Sequence, residues 1–335
     1  GVVMQRQLGE LLDAVADGHA FRREEIGYAR LGVDLAKTLV AVDHAGTVPL
    51  QPLSRVFLRG DIKLSASLLG KLGEHDIGVI VLSGRKSTPS LLLGRPHNDA
   101  ARRIAQYRLS LDSDYCLKFS QAIVAAKLSG QLDLIRERRA NGPMHRYPLG
   151  VCERRIAGML AQVDAQQSIA TLRGLEGASA AAYFEALAEI VPAGLNFHGR
   201  NRQPPRDPLN AVLSLTYTLL HAEAALALYG AGLDPFIGFY HGLDFGRESL
   251  ACDVMEALRP QADRFALMLF REGTLASGDF TNTESGCLLG KAGRGRYYAA
   301  YDTRAEYFRR ELEQAVRDIA RAVAPDPAPV RTEEA

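Results

Sequence analysis

The stretch from Gly238 to Asp263 holds the densest chemistry in the chain. His241 stands at the edge of a glycine-containing loop, and the helix predicted after it carries Asp253 and Glu256 three residues apart, hence on one face. One imidazole with two carboxylates suits magnesium or manganese, hard or borderline divalent ions, better than a thiolate-seeking metal. A second acid, Glu176, lies in Arg173-Gly174-Leu175-Glu176-Gly177-Ala178-Ser179-Ala180. Small residues there let a backbone or a ligand approach, and an acid at a predicted helix start gains from the helix dipole. Each of these features also has a plain structural reading. A D-x-x-E pair is a common solvated helix face, a loop histidine commonly holds a turn, and a first-turn glutamate needs no further role. The residues alone leave both readings open.

Other chemistries find less support. Gly286-Cys287-Leu288-Leu289-Gly290-Lys291-Ala292 resembles a phosphate loop, but only three residues separate its glycines, and Ala292 stands where Ser or Thr would hold magnesium. No G-x-S-x-G elbow and no H-E-x-x-H helix occurs. Cys116, Cys152, Cys252 and Cys287 are widely spaced and form no C-x-x-C pair, so reduced, buried thiols are expected rather than a zinc or redox centre.

These residues need a scaffold, and 335 residues with 47% hydrophobic and 24% charged side chains supply about two globular domains. Residues 1–28 read as an N-terminal segment with a short amphipathic helix at about 5–16 around Leu8, Leu11, Leu12 and Val15, and Gly1-Val2-Val3 before Met4 points to an added or severed N-terminus, a fusion linker among the readings. Residues 29–93 carry short β-rich runs at 37–42, 55–58, 77–82 and 90–93, with a helix at 64–72, and predict a small, largely antiparallel β-domain. Residues 94–99 read as a linker. From 100 to 323 the period is helical, with separate helices predicted at 115–128, 132–139, 168–172, 177–190, 208–229, 249–258, 260–271 and 303–322. Asp207-Pro208 is a strong helix start, and the apolar helix after it belongs at the centre of its domain. The proline-rich, acidic tail at 324–335 reads as disordered. The expected class is α+β: a small N-terminal β-domain followed by a large all-α-helical catalytic domain. No membrane span and no signal peptide is read in the sequence, so a soluble, cytoplasmic protein is expected.

Net charge is 40 − 39 = +1, so the chain as a whole does not advertise a polyanionic partner. Residues 101–206 nevertheless hold 15 Lys/Arg against 9 Asp/Glu, enough for a local basic face that could bind phosphates. A solvated helix surface would give the same count.

Four ordered motifs resemble one family. They are Glu176-Gly177-Ala178-Ser179-Ala180, then Asp207-Pro208-Leu209-Asn210-Ala211, then Gly232 through His241, then Ser249 through Glu256. Together they are similar to the CRISPR-associated integrase of spacer acquisition, the first-numbered of the CRISPR-associated proteins. Leu53 through Gly60, Leu64-Ser65 and Gln106-Tyr107 extend the similarity upstream, so it covers about 32–323. The resemblance implies a metal-dependent DNA integrase and endonuclease, using Mg²⁺ or Mn²⁺, that joins the 3′-hydroxyl of captured DNA to a CRISPR repeat. It maps the family's metal ligands onto Glu176, His241 and Asp253, with Glu256 at a catalytic position where many members have aspartate. It further implies a homodimer paired through the β-domain, and a complex in which two dimers flank a small CRISPR-associated partner dimer. The extra N-terminal helix departs from the family's usual start and suggests the integrase part of a fusion, behind a reverse transcriptase.

A DNA substrate gives the basic residues a task. Arg200, Arg202 and Arg206 precede the Pro208 helix, Arg247 lies between His241 and Asp253, and Lys291, Arg294 and Arg296 form a glycine-spaced basic loop. Arg247 is the foremost phosphate clamp, with Arg259 as an equal candidate and Asn210 able to orient a ligand or a phosphate. Each of these could equally be an ion-pair partner or, for Asn210, a helix-start hydrogen bond. The rival functions are a stand-alone nuclease on branched DNA and a non-catalytic DNA-binding scaffold.

Overall fold

A computed structural model describes residues 33–34, 38–39, 53, 55–59, 64–82, 89–94, 99–141, 145–201, 204–284 and 286–323. The expected N-terminal helix, the tail, Arg202 and most of the 94–99 segment lie outside them. The chain divides into two compact units, 1–96 with 301–306, and 97–300 with 307–335.

In the first unit, β1 (Val33–Asp34), β2 (Thr38–Leu39), β3 (Arg55–Arg59), β4 (Gly78–Leu82) and β5 (Ser90–Leu92) form one sheet in that order. The expected antiparallel arrangement is corrected in part. The outer pairs are antiparallel, but β2–β3 and β3–β4 are parallel. Between β3 and β4 the cause is the helix α1 (Ala66–Glu74), which returns the chain to the starting end of the sheet, as a parallel crossover requires. Its apolar face, Leu68 and Leu72, packs with Val56, Leu58, Ile77 and Val79 into the core of this unit. Ser65 caps the helix by accepting from the Leu68 amide at 3.2 Å.

The second unit is built from α2 (Ala100–Ser110), α3 (Ser113–Asn141), α4 (Arg146–Leu160), α5 (Ile169–Ile190), α6 (Pro208–Gly230), α7 (Ser249–Glu256), α8 (Arg259–Arg271) and, apart from its residues 301–306, α9 (Lys291–Ala322), with a hairpin of β6 (Phe280–Thr283) and β7 (Gly286–Leu289). Three predicted breaks, each at glycines, are absent. Gly130 does not divide α3. A Cβ there would lie 3.0 Å from the Pro260 ring, so the glycine admits the start of α8 against an unbroken helix. Gly174 and Gly177 do not divide α5, which runs from its Ser168 cap through both, so Glu176 sits inside the helix rather than at its start. The glycines at 293 and 295 do not make a loop: α9 begins at Lys291, and a Cβ on Gly293 would meet Leu289 at 2.6 Å.

Helix α6 starts as the sequence predicts, with Asp207 accepting from the Asn210 amide at 2.8 Å and Pro208 in the first turn. By length and composition it is apolar enough to cross a membrane, yet 67% of its most apolar stretch is buried inside the unit. Its central place organises the others. Tyr217 of α6 and Tyr183 of α5 both donate to Asp263 of α8, the latter at 3.0 Å, so one carboxylate ties three helices. Burial raises the Asp263 carboxyl to about 6, although both tyrosine hydroxyls and the Arg259 and Arg200 charges pull the other way.

That shift has a sign. The unfolded chain releases this proton near the ordinary 3.8, the folded chain only near 6, so the native state loses stability as pH rises between them. The ceiling is roughly 3 kcal/mol. An Asp263→Asn variant lacks the effect, so its Tm relative to the native sequence should rise from pH 4 to 6 and then level off. A difference in Tm independent of pH in a thermal scan series would show that the carboxyl titrates normally.

Candidate active site

Asp253 is the structural centre of the site. It is fully buried in α7, and its two carboxylate oxygens accept from the main chain of the preceding loop: Phe239 at 2.7 Å, Tyr240 at 3.0 Å and His241 at 2.9 Å. The His241 ring adds Nδ1 at 2.6 Å. A carboxylate only accepts, so Nδ1 carries a proton and, in the neutral ring, Nε2 presents its lone pair outward. Gly238 permits the arrangement. A Cβ there would fall 2.8 Å from both the Asp253 carboxylate and Ser249, so only glycine lets the loop close over the acid.

The loop is held from behind as well. Gln106 of α2, fully buried, accepts from the Asp234 amide at 2.8 Å and donates to the Asp234 and Ile237 carbonyls at 2.9 Å each. Phe239 packs edge-on against Tyr115 and Phe119 of α3, with centroids 5.1 and 4.8 Å away. His241 is therefore placed by three elements before any ligand arrives.

Glu256 lies one turn after Asp253. Its Oε1 accepts from Arg259 at 2.8 Å and stands 3.9 Å from His241 Nε2, while Oε2 accepts from Lys127 of α3 at 2.7 Å. Burial would raise this carboxyl, but Arg259 and Lys127 outweigh it and hold it down to about 2. The same Lys127 ammonium binds Glu176 of α5, so one cation bridges two acids from different helices. A second rung fixes the register of α3 against α5: Ser179 donates to Gln131 at 3.0 Å, four residues beyond Lys127 and three beyond Glu176.

Glu176, His241, Asp253 and Glu256 are thus brought to one place. Among the described residues, no three His, Cys, Asp or Glu side chains are grouped closely enough to hold a metal ion as they stand. Lys127 fills the space between the two glutamates, and Asp253 has both oxygens committed.

The expected DNA contacts separate into two sets. Arg259 is corrected: it is turned inward, bonded to Glu256 and stacked 4.7 Å over the Tyr217 ring, because a buried carboxylate needs its charge. Asn210 is also corrected, being fully buried at the α6 start with bonds to Gly199 and Asp207. Arg200 is half-buried and holds Asn210 at 2.8 Å and Ser214 at 3.2 Å. Arg247 is partly exposed and braces its own loop through the Gly242 carbonyl, Asp244 and Ser249. Arg206 and Lys291 are exposed. Arg294 donates to the Leu289 carbonyl at 2.8 Å, and Arg296 is exposed but paired with Asp279, on a helix rather than in the expected loop.

Three residues of the site were not singled out in the sequence. Lys127 interrupts the apolar run Ala122-Ile123-Val124-Ala125-Ala126, a charge where α3 is otherwise buried, and that interruption was its signal. Arg173, one turn before Glu176, donates to the Tyr240 carbonyl and lies 5.6 Å over its ring, fastening α5 to the His241 loop. Gln131 gave no comparable signal.

The family model described as CRISPR associated protein Cas1 matches residues 29–303. A CRISPR-associated endonuclease Cas1 of Thermodesulfovibrio yellowstonii is 37% identical over 284 residues, 83% of this chain and 88% of the relative. A Cas4 exonuclease/Cas1 endonuclease fusion of Geobacter sulfurreducens is 34% identical over 261 residues, 76% of this chain and 46% of the fusion. Among solved structures, a Cas1 protein from Thermotoga maritima superposes with a TM-score of 0.72 at 19% identity, covering 88% of this chain and 93% of its own. A casposase bound to integration product superposes at 0.70 with 19% identity, covering 88% and 89%. The chain belongs to the Cas1 family.

Proposed function

We propose that this chain is a metal-dependent DNA integrase and endonuclease of CRISPR adaptation, with Glu176, His241 and Glu256 as the groups that hold a Mg²⁺ or Mn²⁺ ion. The observation that carries the ligand set is the saturation of Asp253. Its oxygens serve three backbone amides and the His241 ring, which makes it the carboxylate that orients the histidine rather than a ligand itself. The remaining donors fit a hard divalent ion: two carboxylates face one cation, and an imidazole nitrogen with a free lone pair stands 3.9 Å from one of them. This replaces the expected set of Glu176, His241 and Asp253.

A divalent ion in such a site lowers the pKa of an attacking hydroxyl and offsets charge on the leaving oxygen. The protein's own residues supply placement. Asp253 and Gln106 fix His241, Arg259 fixes Glu256, and Arg247, Arg206 and Lys291 present positive charge on accessible surface for phosphates. In joining, the incoming 3′-oxygen bonds to a repeat-strand phosphorus, the bond from that phosphorus to its own 3′-oxygen breaks, and the nucleophile's proton is balanced by protonation of the leaving oxygen. With water as nucleophile the same geometry cuts. For assembly, the reading includes pairing through the β-unit, where the edge strand β5 leaves Leu92 exposed, and a small CRISPR-associated partner dimer; one structural neighbour is a Cas6-RT-Cas1–Cas2 complex, TM-score 0.71 at 22% identity. The reverse-transcriptase fusion stays within this proposal.

The test combines this chain, the small partner, a 3′-hydroxyl duplex and a supercoiled repeat-bearing plasmid. Joining at the repeat boundary in Mn²⁺ and none in EDTA is expected. Cutting without joining would make it a nuclease, and binding without either would make it a scaffold.

A further inference from the structure

The Lys127 ammonium lies where a metal ion would have to lie. It is the only group bonded to both Glu176 and Glu256 among the described residues, its side chain is 11% exposed, and it reaches the pair from a third element, α3. Magnesium binds carboxylate oxygens at about 2.0–2.1 Å, so an ion shared by these two acids would sit well inside the contact distance of the ammonium. Both cannot occupy the gap.

We infer that Lys127 is a tethered counter-ion that exchanges with the divalent metal, holding Glu176 and Glu256 together in the metal-free protein and setting how tightly the ion binds. The inference rests on the metal-dependent reading above.

Charge makes the exchange coherent. Glu176, Asp253 and Glu256 bring three negative charges, and Lys127 with Arg259 brings two positive ones. The metal-free cluster is thereby nearly neutral, which is what lets Glu256 be buried and ionised. An entering divalent ion must displace an ammonium from two charge-assisted hydrogen bonds, and that cost weakens its affinity. Arg259 cannot serve as the exchanging group, because its planar head is bonded through Nε to Glu256 and lies over the Tyr217 ring. Lys127 can: a four-carbon stem lets its tip withdraw while α3 stays in place, and the Glu176 side chain beside it is 22% exposed.

Calorimetric titration of Mn²⁺ into the chelator-stripped full chain, with thermal melts in the presence and absence of Mn²⁺, decides the matter. Lys127→Met keeps the stem and removes the charge. It should tighten the Mn²⁺ Kd about tenfold or more, lower the Tm of the stripped protein, and enlarge the Tm gain on adding Mn²⁺. Lys127→Gln, which retains a hydrogen bond to one glutamate, is the second variant should the methionine form fail to fold without metal, and it should shift the Kd in the same direction. Lys127→Arg, still charged, should bind Mn²⁺ no more tightly than the native chain. An unchanged or weaker Kd in the uncharged variants overturns the exchange while leaving the metal site standing. Folded native and variant proteins that all ignore millimolar Mn²⁺ overturn the metal-dependent reading itself, and the exchange with it.

Discussion

Glu176→Gln should lower metal-dependent DNA cutting and joining by about a thousandfold or more, roughly 4 kcal/mol of transition-state stabilisation, while leaving the protein folded and bound to DNA. The substitution removes one charge and almost no volume. Glu176 is the most accessible of the acids, with 22% of its side chain exposed; it lies within α5 without serving as a cap, and its tie to α3 is backed by the Ser179–Gln131 hydrogen bond. Lys127 keeps its bond to Glu256 at 2.7 Å when Glu176 becomes neutral, so the buried ammonium is not stranded. Thermal melts and a gel-shift assay therefore should report little change where the joining assay reports almost complete loss. Parallel loss of DNA affinity and activity would instead assign Glu176 a binding or structural role.

The contrast among the acids was only partly legible in the sequence. The spacing of Asp253 and Glu256 correctly placed both on one helix face beside His241, and their order along the chain pointed to the family. What spacing could not express was direction. Asp253 faces the loop that precedes it, whereas Glu256, one turn on, faces α3 and α5; the difference is set by backbone amides that carry no side-chain signature. The same limit applies to Arg259 and Asn210. Their types suit phosphate contact, but each sits at a helix start where buried polar groups must be satisfied, and that demand took them inward.

Glycine misled the reading of the helices for a related reason. The helices predicted at 115–128 and 132–139 are one helix, α3: Gly130 between them lowers helix propensity, but its missing side chain lets the Pro260 ring approach. The helix survives because α3 is stabilised by burial of Val124, Leu128, Leu132 and Ile135 on its inner side rather than by local propensity. Continuity matters to the site. Lys127 and Gln131 stand four apart on one side of an unbroken helix, and both reach α5; a break between them would uncouple the two rungs that align Glu176. The β-unit shows the complementary case. Its strands and helix were legible from alternation and leucine spacing, but the parallel pairing follows from how α1 connects β3 to β4, which composition does not encode.

Asp253→Ala should separate stability from catalysis in the opposite direction to Glu176→Gln. Removing this carboxylate strands the buried Phe239 and Tyr240 amides together with the part-buried His241 amide and its Nδ1 proton. Each stranded donor costs about 1–3 kcal/mol, and partial relaxation of the loop leaves an expected total of about 4 kcal/mol. For a unit of this size that is a fall in Tm of about 10 °C, together with loss of activity as His241 loses its fixed orientation. Asp253→Asn, which keeps one acceptor oxygen, should recover part of the Tm but little of the activity, because a neutral amide cannot both accept from the loop and hold the Nδ1 proton. If Asp253→Ala instead melts with the native chain and loses only metal affinity, Asp253 is a ligand whose loop contacts are incidental. A large loss of Tm in Asp253→Ala with near-native Tm in Glu176→Gln assigns the two acids different work: one builds the loop that aims the histidine, the other meets the ion.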